Sequence, residues 1–146
     1  MASYPTNPRL GVVLNTNVII SGLIFPESAP GRVLTYVMAE MTLLQSVLTL
    51  DELADVLRRP KFDRWISKET RARAFSSISR SSRLVEAPLA ITLCRDDKDN
   101  HLLELARAGE AGFLVSGDDD LLTLASAFEV RILSPAAFLS VVQPTE

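Results

Sequence analysis

The chain is poor in the residues that most often carry chemistry: among 146 residues there is one cysteine, Cys94, one histidine, His101, and one tryptophan, Trp65. A single cysteine excludes an intrachain disulfide and, with no histidine close by in sequence, leaves thiol catalysis or a zinc–thiolate site without support. A single histidine, read here as a surface residue on a helix behind Asp99, makes a Ser–His–Asp triad a poor explanation of any activity. Neither common glycine-rich phosphate loop is present. No apolar run approaches the roughly 20 residues that span a bilayer, so a membrane role is not expected. The first ten residues, "MASYPTNPRL", lack the charged start and apolar stretch of a signal peptide. The expected location is therefore cytoplasmic.

What is present is the profile of a packed protein, 47% apolar and 23% charged. The length suits one domain with a real core. The formal net charge is −3, but its distribution is uneven: residues 58–83 hold nine of the 15 Lys and Arg against only Asp63 and Glu69. That segment carries +7 and the remainder −10, much of the latter in "DDKDNHLLE" (96–104) and "DDD" (118–120). A basic region thus coexists with two acidic knots.

Short apolar runs alternate with helical periodicity along the chain. "RLGVVL" (9–14), "TLLQS" (42–46), "RLVEA" (83–87), "GFLVSG" (112–117) and "VRILS" (130–134) read as strands. Between them, "NVIISGLI" and "GRVLTYVMAE" read as helical pieces separated by the two prolines of "FPESAP". "TLDELADVLRRPKF" reads as a helix with a Thr49–Glu52 capping box that ends near Pro60. Residues 67–80 read as a helix capped by Ser67 with Ala72, Phe75 and Ile78 inward. Helices are also expected over "KDNHLLELARAGE", ending at Gly109, over "DDDLLTLASAF", and after Pro135. This alternation predicts a three-layer α/β/α sandwich around a central, mostly parallel five-stranded sheet. The expected domain covers residues 9–142, with tails at 1–8 and 143–146.

Polar residues follow the carboxyl end of each of the first four strands: Asn15, Thr16 and Asn17; then Asp51 and Glu52; then Asp96, Asp97 and Asp99; then Ser116, Asp118, Asp119 and Asp120. In a parallel sheet those ends share one edge, where ligands bind. Gathered carboxylates repel one another unless cations sit among them, and an oxygen-rich set suits Mg²⁺ or Mn²⁺. Each residue also has a structural reading: Glu52 as the capping partner of Thr49, Asp118 as an N-cap, Asp96 and Asp97 as first-turn carboxylates, Asn15 to Asn17 as a turn. Trp65 and Phe62 read as core or interface residues before base-stacking ones. The shared edge is what favours the site.

In order, "VVLNTNVIISGL", "TLDELADVLRRPKF", "CRDDKDNHLLELARAGEAGFLVSGDDDLL" and "VRILSPAAFL" resemble the PIN domain, specifically its toxin-type (VapC-like) branch, over residues 9–142. The resemblance implies an endoribonuclease with three or four acids on Mg²⁺ or Mn²⁺, held inactive by a cognate antitoxin protein and commonly homodimeric. The second, third and fourth family acids fall on Glu52, Asp99 and Asp118, with Asp120 a helper and Ser116 the small hydroxyl residue before the fourth. The first falls on Asn15, where the family pattern has Asp before Thr and Asn; here the turn is Asn15, Thr16, Asn17. An amide oxygen can still touch a hard cation but brings no charge, so weakened or abolished activity is the expectation.

Two readings follow. In the first, Asn15, Glu52, Asp99 and Asp118, with Asp120, hold one or two cations that activate water for attack on an RNA phosphodiester, and Arg58, Arg59, Lys61 and Arg64 contact phosphates. In the second, the domain is an inactive RNA- or partner-binding module. A phosphatase of another acid-rich family would need an aspartate nucleophile after the first strand, and Asn15 does not supply one.

Overall fold

The computed structural model describes residues 9–88, 91–94, 96–126 and 128–143. The expected tail over 1–8 and all but the first residue of that over 143–146 lie outside them. Five strands, β1 (Gly11–Leu14), β2 (Thr42–Gln45), β3 (Arg83–Leu84), β4 (Phe113–Val115) and β5 (Arg131–Leu133), form one sheet in the order β3-β2-β1-β4-β5. Every pairing is parallel, so the expected "mostly parallel" sheet is entirely so. Central β1 pairs Val12 with Leu43 on one side and Val12, Val13 and Leu14 with Phe113, Leu114 and Val115 on the other.

Alternation along the strands divides the core in two. Val12, Leu14, Leu43, Phe113 and Val115 join one apolar cluster, while Val13, Leu44, Leu114 and Ile132 join the other. The first face is covered by α1 (Thr16–Ile24), α2 (Ala29–Glu40), α3 (Val47–Leu57), α4 (Lys68–Ser81) and α7 (Pro135–Val142). The second is covered chiefly by α5 (Asp97–Ala108), beside the short α6 (Asp119–Leu122). This is the three-layer sandwich that the sequence pattern implies.

Each helix is opened by a short polar side chain that accepts a first-turn N–H: Asn15, Ser28, Ser46, Ser67, Asp96, Asp118 and Ser134. The third of these corrects the sequence reading. The capping box pairs Ser46 with Thr49, whose hydroxyl accepts from the Ser46 N–H at 2.8 Å, so the helix begins three residues earlier and Glu52 is released from capping. Other boundaries shift too. β3 pairs over only two residues, α6 lasts four before giving way to turns, and Ala72 faces outward on α4. At the end of α5 the left-handed residue is Glu110 (φ 53°), not Gly109. Glu110 and Ala111 N–H groups bond the carbonyls of Arg107 and Ala106 in a Schellman arrangement. Gly109 is needed for a different reason: a β-carbon there would lie 2.7 Å from Leu44 Cδ1.

Between α3 and α4 the chain turns through a 3₁₀ segment at Pro60–Phe62, organised by Arg71. Its side chain is 2% exposed, pairs with Asp63, and donates to the carbonyls of Leu57 (2.7 Å), Arg59 (3.1 Å) and Ser67 (3.4 Å). One buried guanidinium thus satisfies the end of α3 and fixes the basic loop that follows. Replacing Arg71 with Ala is expected to lower the unfolding free energy by about 3 kcal/mol, with Arg71→Lys recovering less than half. Urea denaturation measures this, and a loss below about 1 kcal/mol would contradict the assignment.

Candidate metal centre

The carboxyl ends of β1 to β4 deliver the predicted residues to one edge. Asn15 leaves β1, and its backbone N–H bonds the Val115 carbonyl at 3.0 Å, extending the ladder by one step. Its Oδ1 accepts from Asn17 N–H at 3.3 Å and caps α1, while Nδ2 donates to Ser116 Oγ at 3.0 Å. Fully buried Ser116 also accepts from the Asp118 N–H at 2.9 Å, so one hydroxyl ties the turn after β1 to the turn after β4.

Asp118 caps α6 through Oδ1, which accepts from Asp120 N–H at 2.9 Å. Capping and site membership are therefore not alternatives for this residue. One carboxylate oxygen from each of Asp99, Asp118 and Asp120 lies within 4.8 Å of the others. Asp99 projects from the first turn of α5, is 6% exposed, and its Oδ2 is buried without a hydrogen-bond partner among the described residues. Burial, then the charge of Asp118, then that of Asp96, with a hydrogen bond to Asp118 and the charge of Asp120, pushes Asp99 up to about 6. An orphaned buried oxygen among close carboxylates is a donor set that fits a hard divalent cation.

Glu52, predicted with these acids, is not part of this trio. Thr16 donates to its Oε1 at 2.9 Å, and Lys98 approaches its Oε2 at 3.5 Å. Thr16 thus orients an acid on another element, as does Lys98, which the sequence reading did not single out. Asn17 supplies the N–H that donates to the Asn15 cap of α1. Asp96, expected in the first turn of α5, is instead its N-cap, accepting from Lys98 N–H at 2.8 Å, while Asp97 lies in the first turn as expected.

His101 departs from expectation. It is buried, and its Nε2 lies 2.6 Å from Ser46 Oγ, joining α5 to the cap of α3. Burial lowers its pKa against the opposing charges of Glu104 and Glu52, which keeps the ring neutral near pH 7. Asn100, also missed, exchanges two hydrogen bonds with the Cys94 backbone, at 2.7 and 2.9 Å, and braces the approach to α5. Burial and the neighbouring aspartates raise the Cys94 thiol, suppressing its thiolate form as a nucleophile. The signal for both missed residues was positional: they follow Asp99 directly on the helix.

Arg58, Arg59, Lys61 and Arg64 are exposed beyond the C-terminal end of α3. Arg58 is six residues past Glu52, about 9 Å along the helix axis. They form a basic flank at a distance from the trio and supply none of its ligands.

The PIN domain family model matches residues 11–120, and the chain belongs to the PIN domain family. It is similar to the uncharacterized protein MJ1680 of Methanocaldococcus jannaschii, 30% identical over 118 residues, covering 80% of this chain and 76% of that protein. The fold is similar to PAE2754 from Pyrobaculum aerophilum, with a TM-score of 0.60, 13% identity, and coverage of 94% of this chain and 91% of that one. It is also similar to VapBC2 from Rickettsia felis, solved bound to a promoter DNA fragment (TM-score 0.58, 13% identity, 86% and 98% covered). FitAcB from Neisseria gonorrhoeae gives a TM-score of 0.55 at 16% identity, with 86% and 98% covered.

The raised Asp99 pKa has a thermodynamic consequence whose sign is fixed. The fold holds this proton more tightly than the unfolded chain, so Asp99 favours folding most below about pH 4 and loses that contribution as pH rises through about 6. In metal-free buffer, Asp99→Asn is expected to raise Tm above pH 6, by up to roughly 3 kcal/mol in stability, and to confer no gain below pH 4. A Tm difference independent of pH would contradict this origin.

Proposed function

We propose that this chain is a metal-dependent endoribonuclease of the PIN type and the toxin of a toxin–antitoxin pair, acting in the cytoplasm on RNA phosphodiesters with activity weakened by Asn15. The observation that carries the reading is the Asp99, Asp118 and Asp120 trio, in which Asp99 Oδ2 is buried with no hydrogen-bond partner among the described residues. Membership of the PIN domain family supports nuclease chemistry, and the likeness to VapBC2 and FitAcB supports a cognate antitoxin, with a homodimer following the toxin-type resemblance.

Asp99, Asp118 and Asp120 would hold Mg²⁺ or Mn²⁺, with Glu52 and the Asn15 carbonyl at the margin. Such an ion supplies charge stabilisation at the phosphate and a more acidic bound water. The protein's own part is positioning. Ser116 locks the two turns, Thr16 and Lys98 aim Glu52, and Arg58, Arg59, Lys61 and Arg64 contact RNA phosphates away from the cut.

A second reading, an inactive RNA- or partner-binding module, rests on Asn15. Its amide donates to Ser116 where an aspartate would accept, so the turn is completed without negative charge. A unit charge about 4 Å from another is worth about 4 kcal/mol at an effective dielectric near 20 before desolvation. Asn15→Asp is therefore expected to tighten Mn²⁺ binding at least about tenfold and to switch on cleavage of a mixed single-stranded RNA pool. Asp118→Asn added to that variant should abolish cleavage. Cleavage absent from every version, with RNA binding intact, would favour the binding module.

A further inference from the structure

At the far end of α1 from Asn15, Phe25 is 52% exposed and meets Trp65, itself 50% exposed, edge to face with ring centroids 6.2 Å apart. Large aromatics left half in water are uncommon away from binding surfaces. Cations accompany these rings: the Arg64 guanidinium lies 4.8 Å over Trp65, and the Lys61 ammonium 5.1 Å from the Phe62 ring, which in turn lies 6.4 Å from Trp65. Arg58, Arg59 and Lys68 of the same segment are exposed. Of the acids in this region, Asp63 is engaged by Arg71 and Asp55 by Arg59 at 3.6 Å, while Glu27 and Glu69 are exposed.

We infer that Phe25 and Trp65 form a stacking platform for unpaired bases of single-stranded RNA, with Arg58, Arg59, Lys61 and Arg64 holding the backbone on either side. The inference rests on RNA being the substrate class. Aromatic faces flanked by a positive track are the arrangement by which proteins bind single strands with little regard to sequence. The excess positive charge of this segment on an otherwise acidic chain makes a polyanion the complementary partner. Thr16, which holds Glu52, and Phe25 stand at opposite ends of α1, nine residues or about 14 Å apart along the axis. The platform is also rigid, because Arg71 clamps the loop that carries Trp65, and the Trp65 N–H bonds the Phe62 carbonyl at 3.1 Å.

Trp65 is the sole tryptophan and so reports directly on this surface. In EDTA, where cleavage cannot intervene, titrating the full chain with a 12-nucleotide single-stranded RNA is expected to quench its fluorescence. An abasic strand of equal length should bind weakly and leave the emission unchanged. Phe25→Ala should weaken binding about tenfold by the Trp65 signal, and Trp65→Ala likewise by anisotropy of a labelled RNA, both with Tm within a few degrees of the parent. Undiminished RNA binding by both variants, or unaltered Trp65 emission at saturation, would overturn the platform. So would concentration-dependent burial of Trp65 without RNA, by emission and sedimentation, which would make this face an interface between copies of the chain. RNA that binds and quenches but is never cleaved by the Asn15→Asp variant with Mn²⁺ would instead count against the nuclease reading alone.

Discussion

The parallel pairing of β1 with both β2 and β4 is the constraint on which the rest depends. A parallel sheet sends every following helix off from the same edge, so the turns after β1, β2 and β4 must meet there, and the N-terminus of α5 arrives beside them. Those turns carry the polar side chains that cap helices and also the carboxylates of the site. Extension of the ladder by Asn15 N–H to Val115, and the bridge from Asn15 through Ser116 to Asp118, hold residues a hundred positions apart within a few ångströms.

The same edge stores electrostatic tension. Three aspartates approach within 4.8 Å, and the most buried holds its proton to about 6. Left to itself this arrangement disfavours the fold at neutral pH, and a bound cation would relieve it. Asn15 bears on this balance. A carboxylate there would add a fourth charge to the cluster, whereas the amide keeps the turn's hydrogen bonds and lowers the repulsion, at the expected cost of weaker hold on a cation. Away from this edge, a buried cation performs the opposite service: Arg71, whose charge meets Asp63 and three carbonyls, is engaged through every nitrogen of its guanidinium and holds the basic loop.

Much of this was legible in the residues. Strand and helix order followed from apolar runs of four to six residues alternating with 3.6-residue periodicity, and the sheet edge followed from that order. Position after a strand gathered Asp51, Glu52, Asp96, Asp97, Asp99 and Asp118 to Asp120, and the resemblance to the PIN domain singled out Glu52, Asp99, Asp118 and Asp120 among them. What was not legible depended on contacts between distant elements. Ser46 and Thr49 compete with Thr49 and Glu52 for the same capping pattern, and the choice is settled by His101 arriving from α5 to bond Ser46 and by Thr16 arriving from α1 to take Glu52. His101 and Arg71 are polar residues on helices whose burial comes from what packs over them, a property that local periodicity does not encode. Glu110, and not the glycine before it, takes the left-handed position that ends α5, while Gly109 lies close against Leu44.

The central claim is that the acidic edge is a divalent cation site. The most direct measurement is a crystal structure of the unaltered chain grown with Mn²⁺, read through anomalous scattering. The expected result is an anomalous peak among the carboxylates of Asp99, Asp118 and Asp120, lost when Asp99 is replaced by Asn. A cluster that remains metal-free at saturating Mn²⁺, with the peak elsewhere or absent, would contradict it.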